Sequence, residues 1–164
     1  MKKITILFFF LISFSILAQN GNKPKFWDHV RFGGGLGFGF GSNSTTINVS
    51  PSAIYDFQNG FALGIGVGYL YSKVNDFKSN VFSPGLVALY NPMNEVQLSA
   101  EFEQLFVNQK LTGFSDNNFE YPALYLGVAY RTGWAAFGVR YDVLYDERDS
   151  IFASAFSPII RFYF

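Results

Sequence analysis

The chain has 164 residues and no cysteine, and its 12 Lys and Arg balance 12 Asp and Glu. That excludes a disulfide-stapled scaffold and gives no reason to expect nucleic acid or an anionic membrane surface as a partner. Aromatic residues are the strong signal, with 21 Phe, 10 Tyr and 2 Trp beside 16 Gly.

At the N-terminus, Lys2 and Lys3 precede an apolar run, Ile4 to Leu17, that ends in Leu17-Ala18-Gln19. A charged start, a short apolar core and a small residue at the end predict a signal peptide over 1–18, cut after Ala18. The run is too short for a spanning helix, and no Cys follows it to take a lipid anchor. Cleavage leaves 146 residues, read as a periplasmic segment over 19–29 and one domain over 30–164. Taking Lys2 and Lys3 from the 12 basic residues leaves 10 against 12 acidic, a mature net charge of −2.

From Val30 the residues alternate with period two, the signature of strands. The first strand is expected over Val30–Gly41, with Phe32, Leu36, Phe38 and Phe40 on one face and Arg31 and five glycines on the other. The second spans Thr46–Phe57, the third Phe61–Ser72 and the fourth Val81–Asn91. The fifth, Glu95–Val107, sets Val96, Leu98, Ala100, Phe102 and Phe106 against Gln97, Ser99, Glu101 and Glu103. The sixth spans Tyr121–Arg131, the seventh Trp134–Tyr145 and the eighth Ser154–Phe164. Each is about the length of a tilted membrane strand.

The connections alternate. Gln58-Asn59-Gly60, Asn91–Asn94 and Thr132-Gly133 are tight turns, whereas Ser42–Thr45, Lys73–Asn80, Asn108–Glu120 and Asp146–Ala153 read as polar, mostly longer loops. Strands two, four, six and eight each carry a proline on the apolar face: Pro51, Pro84, Pro122 and Pro158. Because proline removes a ladder hydrogen bond, these are expected to mark strand starts.

The two faces decide between membrane and water. One is Phe, Tyr, Leu, Ile and Val throughout; the other is mostly Gly, Ser, Ala, Asn and charged residues. As a soluble exterior, a face with glycine at alternate sites would be poor; as a narrow interior it leaves room for a few large polar groups. The expected fold is all-β: an eight-stranded antiparallel up-and-down transmembrane β-barrel, apolar face toward lipid. The alternative is a soluble barrel with those faces inverted.

The leader, the alternating hairpins and the ending Ile160-Arg161-Phe162-Tyr163-Phe164 resemble the short eight-stranded outer-membrane barrels of Gram-negative bacteria. In that family Ile160, Phe162 and Phe164 would form the terminal signal read by the barrel-insertion machinery. The stretches at 31–41, 50–57 and 138–146 are similar to a small-barrel group often labelled alpha-ketoglutarate decarboxylase. What the resemblance implies is the fold and the outer-membrane location. The decarboxylase of that label would need a thiamine-diphosphate or other cofactor site in a far larger α/β body, and no cofactor is expected here.

Parity sends Arg31, Asp56, Glu101, Glu103, Arg131, Arg140, Asp142 and Arg161 into the lumen. Counted up from the turns, Glu101 and Glu103 share a level with Arg140 and Asp142, with Tyr125 between them. A structural polar network of Arg31, Glu101, Glu103, Tyr125, Arg140, Asp142 and Arg161 is expected, with Glu101 and Arg140 as its central pair, since charges out of water must be paired. An eight-stranded barrel is filled by its side chains, so this network is read as a plug before an ion path or an acid–base pair. His29, the only histidine, sits beside Trp27 and reads as an interfacial anchor; with no Cys, metal binding is not expected. The Gly33–Gly39 run has no following helix and no P-loop Lys.

The expected function is a non-enzymatic structural or accessory barrel in outer-membrane lipid, within a larger outer-membrane protein complex. The alternatives are an adhesion barrel acting through Leu111–Glu120 and its other loops, and a lipid-modifying enzyme using His29 with a Ser.

Overall fold

The structure, a computed structural model of the chain, describes residues 25–41, 44–75, 77–111, 116–148, 150–152 and 154–164. The expected signal peptide and its cleavage point lie outside the described residues. A single 3-10 turn, Phe26–His29, leads into eight strands: β1 (Val30–Gly41), β2 (Ser44–Asp56), β3 (Phe61–Val74), β4 (Phe77–Tyr90), β5 (Val96–Leu111), β6 (Asn117–Thr132), β7 (Ala135–Asp142) and β8 (Phe156–Tyr163). Each pairs antiparallel with its neighbours in sequence, and β8 pairs with β1 to close the barrel.

Register fixes the shape. Stepping across the sheet from Val30 gives Tyr55, Leu63, Ala88, Ala100, Leu126, Tyr141 and Phe156. Continuing the β8–β1 register sets Phe156 opposite Phe40, ten residues up β1 from the start. A stagger of that size with eight strands tilts them by about 40° and leaves an interior only wide enough for side chains.

The seam depends on glycine. Gly33 to Gly35 pair with Tyr163 to Arg161, and the Phe164 N–H donates to the Phe32 carbonyl at 2.9 Å. A Cβ on Gly33 would collide with the Phe162 carbonyl oxygen, and Gly34 holds φ at 142°, where an L side chain is strained.

Two polar segments expected as loops are largely strand. Outward residues there are Lys73, Lys78, Asn80, Asn108, Lys110 and Asn118, and this polarity resembles a loop. The residues between them on the inward face, Val81, Val107 and Phe119 among them, keep packing into the lumen, so the ladders continue to Val74↔Phe77 and Gln109↔Asn117. At the other long connection the strands are shorter than expected. The Asp142 carboxylate accepts the Leu124 and Leu144 N–H groups at 3.1 and 3.0 Å, turning the chain off the sheet after β7.

Three of the four prolines do not mark strand starts, while Pro158 is the third residue of β8. Pro51, Pro84 and Pro122 lie well inside β2, β4 and β6. Pro84 pairs with Val67 and Pro122 with Gln104, and Pro51 continues the same row. The register skips Ser50 and Pro51 between β2 and β3, and Ser83 and Pro84 between β4 and β5. A missing N–H is tolerated where the rest of the ladder holds on both sides.

Alternation puts large apolar side chains outside on every strand, including Phe38, Val49, Ile65, Leu86, Phe102, Leu126, Val139 and Ile160. Aromatics collect near the short turns: Phe26 stacks on Tyr55 at 5.0 Å, Phe57 approaches Phe61, and Trp134 stacks on Phe162 and Phe164.

Candidate functional site: a charged network inside the barrel

Alternation along β5 sends Gln97, Ser99, Glu101 and Glu103 into the lumen, facing Arg140 of β7 and Arg161 of β8 across the barrel. The Glu101 carboxylate is the hub. Its Oε1 accepts from Arg161 Nη2 at 2.7 Å and Ser99 Oγ at 3.1 Å, and its Oε2 from Arg140 Nη1 at 3.2 Å. Arg140 Nη1 also reaches Glu103 Oε1 at 2.9 Å, its Nε donates to Ser157 Oγ at 3.2 Å, and its guanidinium lies 3.8 Å over the Tyr125 ring. Arg161 Nη1 donates to Gln97 Oε1 at 3.1 Å, and Gln97 Nε2 donates to Asn91 Oδ1 at 3.2 Å.

The hydrogen bonds therefore run unbroken from Asn91 at the short-turn mouth to Glu103 and Ser157 deep in the barrel. Two arginines and two glutamates sum to zero charge. Gly127 pairs directly with Arg140, and a Cβ there would meet Ser99 Oγ and the Ile159 side chain. Its missing side chain is the space that Arg140 and Ser99 use.

Two of the expected members sit apart. Arg31 pairs with Asp56 at 2.9 Å at the mouth, half-exposed, rather than with Glu101 or Glu103. Asp142 is buried, but its Oδ1 accepts from the backbone N–H groups of Leu124 on β6 and Leu144 just after β7 rather than from an arginine. Ile160, Phe162 and Phe164 lie along the outer face of β8, the last two against Trp134. His29 packs 5.5 Å from the Tyr55 ring in the aromatic cluster below β1.

Toward the long loops the lumen becomes apolar. Val81, Leu105, Val107, Ala123 and Tyr125 are buried together, with Leu70, Phe119, Tyr121, Ile151 and Phe152 packed on them. The β7–β8 connection folds into this end: the Ile151 N–H donates to Tyr121 Oη at 3.3 Å, and Tyr145 Oη donates to the Phe152 carbonyl at 3.1 Å. This seal escaped the sequence reading, which treated the inward face as polar. Its trace was there in Val81, Leu105 and Val107, apolar residues at inward parity. Toward the short turns, a cavity of only about 30 Å³ lies among Arg31, Asp56, Arg131, Arg161 and Trp134.

The chemistry open to such a site is narrow. Arg140 Nη1 bridges the two carboxylates, which are joined through the guanidinium. Among the described residues no group of three or more His, Cys, Asp or Glu could hold a metal ion.

One carboxylate outside the strands is perturbed. Hydrogen bonds from the Arg148 side chain and backbone hold the Asp146 carboxyl below its ordinary 3.8, at about 2. A depressed value stabilises the bonded loop above pH 3.8, and that contribution fades as pH falls through about 2. Carbon-detected NMR titration is expected to give an Asp146 midpoint near 2 that rises toward 3.8 in Arg148→Ala; an unchanged midpoint would refute the pairing.

No family model matches this chain, and no curated protein matches it.

Proposed function

We propose that this chain is a barrel of the bacterial outer membrane, with a side-chain-filled lumen, serving as a structural or accessory member of an outer-membrane assembly. One observation carries the membrane part: a closed sheet with no free edge wears aliphatic residues on its outside. Ile65, Leu86, Leu126 and Val139 are each half or more exposed, far beyond the patches a soluble monomer tolerates. On β3 the outward apolar series runs from Phe61 to Tyr71. At about 3.3 Å per residue and a tilt of about 40°, that band is about 25 Å tall, the height of a lipid-facing belt. Tyr90, Tyr130 and Trp134 edge it at the short-turn end, and Tyr69, Phe82 and Phe106 at the other.

The interior supports the structural role. Two arginines and two glutamates of zero summed charge, joined by hydrogen bonds under an apolar seal, fit a plug that braces the barrel. The partners in this reading are outer-membrane lipid, the insertion machinery that would read Ile160, Phe162 and Phe164, and a larger complex. Boiled and unboiled outer-membrane fractions compared by detergent gel are expected to show a heat-dependent shift. A protein found in the periplasmic fraction with no shift would refute the membrane reading. Affinity purification from that membrane is expected to bring down a stoichiometric assembly, and recovery of the barrel alone would remove the accessory role.

A further inference from the structure

We propose that Lys73, Lys78 and Lys110 form a row that binds the phosphate-bearing headgroups of anionic lipid in the leaflet at the long-loop end; this rests on the membrane reading above. The three are direct cross-strand neighbours on the outer face: Lys73 pairs with Lys78, and Lys78 with Lys110. All three are exposed. Lys110 reaches Asp116 at 2.7 Å, and among the described residues Lys73 and Lys78 have no ion-pair partner.

Like charges directly opposite one another destabilise a sheet. Three in a row, held on a strand extension rather than spread through a loop, are a cost that an anion beside them removes. Their height selects the anion. Four residues down the same strands lie Tyr69, Phe82 and Phe106, the aromatic rim of the apolar belt. That separation is about 13 Å of strand and about 10 Å along the barrel axis. The row between them is Tyr71, the end of the β3 apolar series, followed by Asn80, Asn108 and Asn118, in which Asn80 accepts from Tyr69 Oη and Asn108 donates to Asn118. On β4 and β5 the outward order is therefore aromatic, amide, ammonium, and on β3 it is two tyrosines and then the ammonium. The headgroup layer is about 5–7 Å thick on each side, and lysine stems reach along the surface to place their ammonium groups in it. The groups project sideways, in line with the lipid-facing side chains, so a lipid phosphate meets them where a loop-bound partner would not. Asp116 and Glu120 on the β6 side confine the positive face to β3–β5.

The test uses the full mature chain refolded into phosphatidylcholine bilayers, alone or doped with lipid A or with lipid A stripped of its phosphates. A heat-dependent gel shift in phosphatidylcholine alone reports the membrane reading independently of the lysines, and failure to insert there overturns that reading. The lysine row is read by the lipid A that stays with the barrel on detergent extraction. About tenfold more of the phosphorylated form is expected to remain, falling to the level of the stripped form in K73Q/K78Q/K110Q and in high salt. Equal retention of the two forms, or full retention by the triple variant, overturns the proposal. Should the triple variant not insert, the salt titration of the unaltered barrel decides, and retention insensitive to salt overturns it.

Discussion

Replacing Glu101 with alanine is expected to cost about 3–5 kcal/mol of barrel stability, the penalty for removing one member of a buried ion pair. Glu101 is buried and holds two guanidinium groups at once. Arg161, 7% exposed in the intact barrel, is then left with the neutral Gln97. Arg140 would still have Glu103. The asymmetry makes the prediction specific: Glu103→Ala leaves every arginine with a carboxylate and should cost about 1–2 kcal/mol, nearer an ordinary charged hydrogen bond. Urea unfolding of the lipid-embedded barrel, followed by tryptophan fluorescence, measures both. Changing Glu101→Leu and Arg161→Met together should recover most of the loss, because the expensive state is the unpaired charge rather than the missing pair. If Glu101→Ala costs no more than Glu103→Ala, Glu101 is not the hub.

How much of this was legible in the residues depends on what each side chain could signal. The strands announced themselves because most outward positions of the belt are apolar, Gln104 being a polar exception, while most of its glycine, serine and charged residues fall at inward parity. Glu101, Arg140 and Tyr125 could be placed together because parity gives the face and counting from the tight turns gives the level. Arg31 fails the same logic. Parity sends it inward, but β1 begins at the mouth, and Asp56, two residues beyond its cross-strand partner Ile54, lies within ion-pair reach there. Asp142 likewise has the right parity and level, yet its acceptors are used by the backbone where β7 ends, a local turn that periodicity does not encode. The lengths of β4 to β6 are hidden in the sequence because their outward polar residues resemble a loop, while the inward residues between them keep to the ladder. The same limit hid the lysine row: a formal net charge of zero averages over the molecule and says nothing of three cations aligned by register.

The second large effect separates lipid from water at the outer face. Leu86 is 57% exposed, near the middle of the belt, with Ile65 and Phe102 as its cross-strand neighbours. Leu86→Arg is expected to destabilise the folded barrel in bilayers by about 2–4 kcal/mol, because the guanidinium must leave water for hydrocarbon. Phe61→Arg, at the short-turn edge of the same belt, should cost only about 0–1 kcal/mol beyond lost packing, since its charge reaches the interface. Neither change touches the lumen, where Glu101 and its arginines stay as they are. A soluble barrel predicts another pattern: both sites face water, both substitutions cost little, and solubility improves by replacing an exposed leucine. Reversible unfolding of the two variants in the same bilayer therefore reads the solvent of the outer face directly. A steep dependence on depth means lipid; two equally small penalties would invert inside and outside and return the apolar face to a partner other than lipid.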